Sequence, residues 1–259
     1  MILEEIAEKT RTRVMGAKKK IPMEKMRTLA ESMEGDTGFP FEREIEKPEI
    51  SFICEVKKAS PSKGLIAPDF DYLTIAKEYE AAGAGAVSVL TEPDYFLGKL
   101  EYLQKISHAI RIPALRKDFT VDEYMIYEAK TAGASAVLLI CALLSKERIR
   151  YYIDICDSLG LSALVEAHDE REIEDAVSSG ARIIGVNNRN LKDFTVDITN
   201  STRLRENVPD SILFVAESGI RTREDVSVLE LGNVNAVLIG ETLMRSQNKK
   251  MMIDELKGR

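Results

Sequence analysis

The chain has 259 residues, of which 44% are hydrophobic, and a formal net charge of −7 at pH 7. Its length suits one large domain, and its negative charge argues against nucleic acid as the main partner. The acidic start MILEEIAEKT and the lack of any apolar run near 18 residues argue against export and membrane insertion, so we expect a cytoplasmic protein with reduced cysteines.

Two helices are predicted before the first strand. ILEEIAEKTRTRVMGAKKK (2–20) reads as an amphipathic helix, and a second helix is expected at about 22–34. This stretch is too short to form a core of its own. We therefore predict a single domain over 1–259, in which residues 1–48 form a helical N-terminal extension packed on the rest.

From residue 50 onward, eight apolar segments alternate with helical patterns. The segments are ISFICEVKK (50–58), AGAGAVSVLTE (82–92), IPALRKDF (112–119), AGASAVLLICAL (132–143), LSALVEAHD (161–169), SGARIIGVNNRNL (179–191), SILFVAESG (211–219) and LGNVNAVLIGETL (231–243). Helices are expected at 72–82, 121–132, 146–159, 169–178 and 222–231, and less regular ones at about 99–109, 198–206 and 247–257. This repeat predicts an α/β fold, a single (β/α)8 TIM barrel with the helical extension.

Local signals mark several helix ends. Four glycines are predicted to close helices in the left-handed conformation, which costs glycine little; they are Gly83, Gly133, Gly180 and Gly232. Two capping boxes or close variants of them are also predicted, and they are Thr120 with Glu123 and Asp169 with Glu172.

Charged and polar residues recur where the predicted strands end. Leu115, Leu164 and Val215 each lie two places before a charged residue, so strand periodicity puts apolar and charged side chains on one inner face. The inward polar positions are Glu55, Lys57, Lys117, Glu166, Asn187 and Glu217. Any one of them could be a solvated strand end or half of an ion pair, but burying several unpaired charges together is costly. We therefore predict an active site at this end of the barrel, and expect the outward Lys58, Arg116 and Asp118 to pair with helices.

The sequence lacks the signatures of several other chemistries. With only two histidines, His108 and His168, and no His/Cys/Asp cluster at ligand spacing, a catalytic zinc site is not expected. No dinucleotide fingerprint or Walker loop is present. The chemistry is therefore expected to come from lysines, carboxylates and an amide, without a metal or cofactor.

The last two strand–loop junctions suggest a phosphate site. Ser218-Gly219-Ile220 and Ile239-Gly240-Glu241 follow the seventh and eighth predicted barrel strands. In such barrels these loops commonly bind phosphate through backbone N–H groups, and small residues allow a close approach. A phosphorylated small molecule is therefore the expected substrate.

Seven blocks of the chain together resemble one enzyme family. They are CEVKKASPSKG (54–64), VLTEPDYFLG (89–98), LRKDF (115–119), LVEAHDE (164–170), GVNNRNL (185–191), VAESGI (215–220) and LIGETLMR (238–245). Their order and spacing resemble indole-3-glycerol-phosphate synthase of tryptophan biosynthesis over essentially the whole chain, including the N-terminal extension.

The resemblance implies a reaction and roles for the strand-end residues. The reaction is ring closure of 1-(2-carboxyphenylamino)-1-deoxyribulose 5-phosphate, giving indole-3-glycerol phosphate, carbon dioxide and water. Lys117 is the implied acid for ring closure, Glu166 a proton-transfer partner, and Lys57 a second acid whose share of the work stays open.

The supporting roles are also implied by the resemblance. Glu55 and Glu217 would orient the lysines, and Asn187 and Ser218 would bond substrate hydroxyls. The remaining contacts would be Ser60 and Arg189 with the substrate carboxylate, Phe96, Phe119 and Leu138 with the anthranilate ring, and Gly219, Gly240 and the backbone at Glu241 with the phosphate.

Two other interpretations remain open at the level of sequence. A class I aldolase would also place lysines at strand ends and bind sugar phosphates, but its Schiff-base lysine must be neutral. Neighbouring glutamates favour the charged form of Lys57 and Lys117 instead. A barrel kept only for binding would be expected to have lost some of the acid–base residues.

Overall fold

Eight parallel strands close into a barrel in the computed structural model, which describes residues 2–190 and 195–259. The barrel strands are β1 (Ser51–Val56), β4 (Ala86–Leu90), β5 (Ala114–Lys117), β6 (Ala136–Ile140), β7 (Ser162–Ala167), β8 (Ile183–Asn187), β9 (Leu213–Glu217) and β10 (Ala236–Ile239). They pair in chain order, and β1 closes the circle between β4 and β10. The predicted TIM barrel is confirmed.

Helices alternate with these strands. They are α1 (Ile2–Lys20), α2 (Met23–Glu31), α3 (Pro40–Ile45), α4 (Tyr72–Ala81), α5 (Leu100–Ala109), α6 (Tyr124–Thr131), α7 (Lys146–Ser158), α8 (Glu170–Ser178), α9 (Thr199–Arg205), α10 (Arg223–Leu231), α11 (Glu241–Arg245) and α12 (Lys249–Lys257). Every predicted helix is present within a few residues of its expected ends.

Three short elements were not predicted from the sequence. They are α3, α11 and an antiparallel hairpin in the loop after β1, formed by β2 (Ala59–Ser60) and β3 (Gly64–Leu65). Each is too short to show a periodic pattern. Met1 lies outside the described residues, as does Leu191, the last residue of the GVNNRNL block.

The prediction that a glycine closes the helix in the left-handed conformation is confirmed at three of the four positions. Gly83, Gly133 and Gly180 have φ of 80°, 81° and 87°. The prediction is wrong for Gly232, which has φ −84°; Asn233 takes the left-handed conformation there, with φ 56°. Asparagine tolerates this region better than most residues. A Cβ on Gly232 would lie 2.8 Å from Thr202 Cγ2, so the small residue serves packing.

The capping-box predictions are only partly confirmed. The Asp169 side chain accepts from Glu172 N as expected, at 2.9 Å. Glu172 does not complete the box, because its carboxylate accepts from the backbone N–H of His168 instead, at 2.8 Å. The prediction at Thr120 is wrong, since α6 begins only at Tyr124 and its N-cap, Glu123, makes no side-chain cap bond.

An apolar layer fills the barrel beneath the strand ends. Its buried members from the strands are Ile53, Ala86, Leu115, Ala136, Leu138, Ile140, Leu164, Ile183, Val215, Ala236 and Leu238. Phe41 and Ile45 of α3 complete this cluster and are fully buried. Glu42 of α3 pairs with Arg182, which precedes β8, so α3 lies against the N-terminal end of the barrel. This layer leaves the opposite end for polar side chains.

A buried ionic network attaches α1 to the barrel next to β5. Arg13 donates to Asp118 Oδ1 at 2.7 Å and to the carbonyl oxygen of Thr91 at 3.1 Å. Burial would raise the pKa of Asp118, but Arg13 and Arg116 hold it below its ordinary value. Arg116 also pairs with Glu128 of α6 at 2.8 Å, so the expected outward pairing with helices is confirmed for Arg116 and Asp118 and stays a prediction for Lys58. The division into one domain with an extension over 1–48 stays a prediction.

Replacing Phe41 with alanine should destabilise the barrel without reshaping its mouth. Deleting a fully buried Phe side chain typically costs about 3–5 kcal/mol of unfolding free energy. Urea denaturation followed by circular dichroism would measure the loss. Leu231→Ala is the control, because Leu231 is 86% exposed and its truncation should change stability by less than about 0.5 kcal/mol. Equal denaturation midpoints for the two variants would show that α3 is not part of the core.

Candidate active site

A cavity of about 390 Å³ opens at the C-terminal ends of the barrel strands. Every site residue predicted from the sequence lines it. These residues are Glu55, Lys57, Ser60, Phe96, Lys117, Phe119, Leu138, Glu166, Asn187, Arg189, Glu217, Ser218, Gly219, Gly240 and Glu241. Strand ends that are far apart in the chain therefore converge on one space, as parallel strands in a closed barrel require.

Lys117 lies between two buried carboxylates. Its Nζ is 3.0 Å from Glu166 Oε2 and 2.9 Å from Glu217 Oε2. Burial alone would lower the pKa of Lys117, but Glu166, Glu217 and Glu55 raise it well above its ordinary value. Lys117 is therefore a cation throughout the physiological pH range, and it can act as an acid.

The two carboxylates that share Lys117 differ in their electrostatic surroundings. Burial would raise the pKa of Glu166, but Lys117 and His168 lower it well below its ordinary value. Lys117 is the main group that lowers the pKa of Glu217. Burial and the neighbouring Glu166 outweigh it and raise that pKa to about 7. Glu217 Oε1 is buried and has no hydrogen-bond partner among the described residues. Glu166 is thus an ionised base, while Glu217 can hold a proton near neutral pH.

A second ion pair stands at the end of β1, which only β4 separates from β5 in the barrel. Glu55 Oε1 and Lys57 Nζ are 2.5 Å apart, both on the inner face of the chain where β1 ends. Gly240 has φ −114°, so the backbone there does not require glycine. A Cβ at Gly240 would overlap with Glu55 Oε1 and approach Lys57 Nζ to 2.7 Å. The missing side chain makes room for the ion pair.

Gly185 has a similar role that the sequence analysis missed. It lies within β8, and a Cβ there would overlap with Glu217 Oε1 and come within 3.2 Å of Leu164 Cδ1. Its sequence signal is a glycine in the interior of a strand, which often marks a close approach of another group. The Glu217 carboxylate occupies the space that any side chain at 185 would fill.

The polar rim continues from β8 to the loop after β9. Asn187 Nδ2 is 3.5 Å from Glu166 Oε1, and Asn187 Oδ1 accepts from the backbone N–H of Arg189 at 3.0 Å. Ser218 has φ 70°, in the left-handed region that non-glycine residues seldom occupy, and Gly219 follows with φ 85°. Strained backbone of this kind clusters at functional sites, and here it turns the chain sharply at the edge of the cavity.

Aromatic and apolar groups form the other side of the mouth. The rings of Phe96 and Phe119 lie 6.0 Å apart. Glu92, which the sequence analysis did not assign to the site, holds the Phe96 loop: its buried carboxylate accepts from the backbone N–H groups of Asp94, Tyr95 and Phe96 at 2.8–3.0 Å. Ile2, Leu3 and Ile6 of α1 also line the cavity, and nothing in the sequence pattern indicated that contact.

Cationic side chains gather at the predicted phosphate loops. Arg221 and Arg245 line the cavity, and the Glu241 carboxylate lies 3.2 Å from Arg245 and 3.6 Å from Lys63. The sequence analysis did not single out these three cations. They give this edge of the cavity a positive character suited to an anion.

The described residues contain neither a candidate metal cluster nor a candidate membrane span. Within residues 2–190 and 195–259, no group of three or more His, Cys, Asp or Glu side chains could hold a metal ion. In the same part of the chain, no helix has the length and apolar character needed to cross a membrane.

Comparisons with known proteins agree with one another. Residues 3–256 match the family model described as indole-3-glycerol phosphate synthase. Curated proteins of that name from Ruminiclostridium cellulolyticum and Lacticaseibacillus casei are 55% and 51% identical, over 100% of this chain and 99% and 100% of theirs.

Solved structures at low identity share the fold alone. A 3-hexulose-6-phosphate synthase from Salmonella typhimurium has a TM-score of 0.66 at 12% identity, covering 81% of this chain and 97% of its own. A phosphoribosylanthranilate isomerase from Thermotoga maritima has a TM-score of 0.58 at 18% identity, covering 82% of this chain and 100% of its own.

Replacing Glu217 with glutamine should stabilise the protein in alkaline solution. The pKa of Glu217 is raised from 4.5 to about 7, so the native state keeps a proton that the unfolded state releases, and stability falls as pH rises between these values. Glu217→Gln removes that loss. The free energy of unfolding should therefore be unchanged near pH 5 and higher at pH 8, on the order of 2 kcal/mol.

Glu166→Gln is the matched control with the opposite sign. The pKa of Glu166 is lowered, so its stabilising contribution is present above the unfolded pKa and is lost as pH falls through the folded value. Its replacement should therefore lower stability at pH 8. Chemical denaturation at both pH values would measure the two effects, and equal effects of the two substitutions would contradict the assigned difference.

Proposed function

The chain belongs to the indole-3-glycerol phosphate synthase family, and we propose that the side chains of its barrel mouth carry out the ring closure by acid–base catalysis. The enzymes of this name are carboxy-lyases of tryptophan biosynthesis, EC 4.1.1.48, and act on a phosphorylated small molecule. The proposed substrate is 1-(2-carboxyphenylamino)-1-deoxyribulose 5-phosphate. The observation that carries the mechanism is the position of Lys117 between Glu166 and Glu217.

Ring closure requires an acid. Attack of the aniline ring carbon on the ketose carbonyl develops negative charge on the carbonyl oxygen, and Lys117 would protonate that alkoxide. The raised pKa of Lys117 supports this role because it guarantees that the proton is present before the substrate reacts. A Schiff base would instead require Lys117 to be neutral, which its two carboxylate partners oppose.

The next steps remove carbon dioxide and water. Loss of the carboxyl group restores the aromatic ring, and this step needs no cofactor. Dehydration needs an acid for the leaving hydroxyl and a base for the anilino proton. Glu166 can be the base because its lowered pKa keeps it ionised and able to accept a proton, and Lys57, paired with Glu55, is the second acid.

The rest of the cavity would bind the substrate. Its aromatic ring would lie against Phe96, Phe119 and Leu138. The hydroxyls would bond Asn187 and Ser218, the carboxylate would meet Ser60 and Arg189, and the phosphate would lie at the backbone of Gly219, Gly240 and Glu241. The cations at that edge support the last assignment. No metal or cofactor takes part in this mechanism. The cytoplasmic location and the absence of nucleic-acid partners stay predictions.

Loss of Lys117 should abolish most of the reaction. Because the chain contains no tryptophan, indole fluorescence reports product over a low background when the carboxyphenylamino substrate is supplied. The wild-type signal should rise with time, and Lys117→Ala should lower kcat about 10²–10⁴-fold, the usual contribution of a positioned acid.

Lys58→Ala is the matched control for the lysine substitution. Lys58 is next to Lys57 in the chain but is not among the described residues that line the cavity, so its loss should leave turnover unchanged. A different outcome would contradict the synthase mechanism. If folded wild-type protein produced no indole signal but formed a borohydride-reducible adduct with the substrate, a class I aldolase would be favoured.

Gly185→Ala should impair turnover while leaving the backbone intact. The added Cβ would overlap with Glu217 Oε1, so the carboxylate must move and Lys117 loses a partner. We expect kcat to fall about tenfold or more, with circular dichroism unchanged. Gly16→Ala is the control, since a Cβ there meets nothing within 4 Å and should add up to about 1 kcal/mol of helix stability. Equal activity of the two variants would show that turnover does not depend on the absence of a side chain at Gly185.

A further inference from the structure

His168 stands behind Glu166, on the side away from Lys117. Its Nε2 lies 3.3 Å from Glu166 Oε1, while Lys117 holds Glu166 Oε2 at 3.0 Å. The His168 side chain is 20% exposed and is not among the described residues that line the cavity. Whatever it contributes must therefore act through Glu166 and not by contact with the substrate.

The orientation of the His168 ring is fixed by Glu172 of α8. The Glu172 carboxylate lies 3.0 Å from His168 Nδ1 and accepts the backbone N–H of His168 at 2.8 Å. Asp169 caps the same helix by accepting from Glu172 N. The ring is thus held from the helix side, and its other nitrogen lies within ion-pair distance of Glu166 without a hydrogen bond to it.

Both ring nitrogens of His168 face carboxylates. A neutral imidazole has one N–H and one lone pair, so one of the two contacts would be repulsive unless a carboxylate were protonated. Burial would lower the pKa of His168, but Glu166 and Glu172 raise it to about 10. Cys141, whose Sγ lies 3.6 Å from the Glu172 carbonyl oxygen, stays a neutral thiol because burial and the surrounding carboxylates raise its pKa. The charged groups around the ring are therefore Glu166, Glu172 and, behind Glu166, Lys117.

We propose that His168 is a positioning residue whose imidazolium is the second, permanent counter-ion of Glu166. This inference rests on the proposed function. When Lys117 gives its proton to the substrate, Glu166 loses the positive charge at Oε2, and a buried carboxylate without a cation would tend to take up a proton itself. The charge at Oε1 keeps Glu166 ionised for the later removal of the anilino proton. No bond to His168 forms or breaks.

The charge of His168 can be measured without any assay of activity. The chain has two histidines, so the exposed His108 can be replaced in His108→Gln, leaving one imidazole proton resonance to follow by NMR as pH is varied. The resonance should keep the position of the charged form through pH 8. A midpoint near the unperturbed value of about 6.5 would overturn the proposal. This measurement does not depend on any change at the site.

The kinetic test compares His168→Gln with His108→Gln. His168→Gln keeps a neutral group of similar reach but removes the charge, so the pKa of Glu166 should rise and the acidic limb of kcat should move to higher pH. At pH 6–7 we expect kcat to fall about 10–100-fold with KM within about threefold, part of the roughly 10²–10⁴-fold supplied by a positioned base. The deficit should shrink as pH increases, which a merely structural defect would not produce.

The outcomes separate this inference from the function on which it rests. An unmodified enzyme that formed no indole product would overturn the proposed function. An active unmodified enzyme, together with His168→Gln of unchanged kcat and unchanged acidic limb, would overturn only the role of His168. His108→Gln should match the wild type in both measurements.

Discussion

Charge balance in a buried space is the constraint on which the barrel mouth depends. Three carboxylates, Glu55, Glu166 and Glu217, are each at most 4% exposed, and two lysines lie among them. A buried charge that loses its partner is strongly destabilising, so removing one member of the set changes the charge balance of the others. The lysines leave one negative charge in excess, and Glu217, with its pKa raised to about 7, is the group that can take up a proton to remove it.

The surrounding fold is arranged to hold these charges at fixed separations. Gly185 and Gly240 lack the side chains that would displace Glu217 and the Glu55–Lys57 pair. The strand ends supply the charged groups, and the apolar layer beneath them is closed by α3. On the outside, Arg13 and Asp118 join α1 to β5 at the residue after Lys117. Because each support acts through packing or a buried hydrogen bond, the site is positioned before substrate arrives, as acid–base catalysis requires.

Much of this arrangement was predictable from the sequence because strand periodicity is strict. A residue two places after a buried aliphatic one must share its face, which placed Lys117, Glu166 and Glu217 correctly in the barrel. The contributions of His168 and Glu92 were not predictable, because they depend on where a loop folds after the strand ends. The role of Gly232 was not predictable for the same reason. Its small size is required by contact with Thr202, about thirty residues away in the chain, and not by the helix that ends there.

The fold alone does not determine the chemistry. Barrels with 12–18% identity to this chain include a hexulose phosphate synthase and an isomerase, so the architecture is compatible with several reactions. In this chain the chemistry depends on the different environments of two carboxylates that share one lysine. Glu166, with cations on both oxygens, is held ionised, whereas Glu217, with one orphaned oxygen, is left near its point of protonation. Separating the pKa values of neighbouring groups is how a single site can offer a proton and accept one at the same pH.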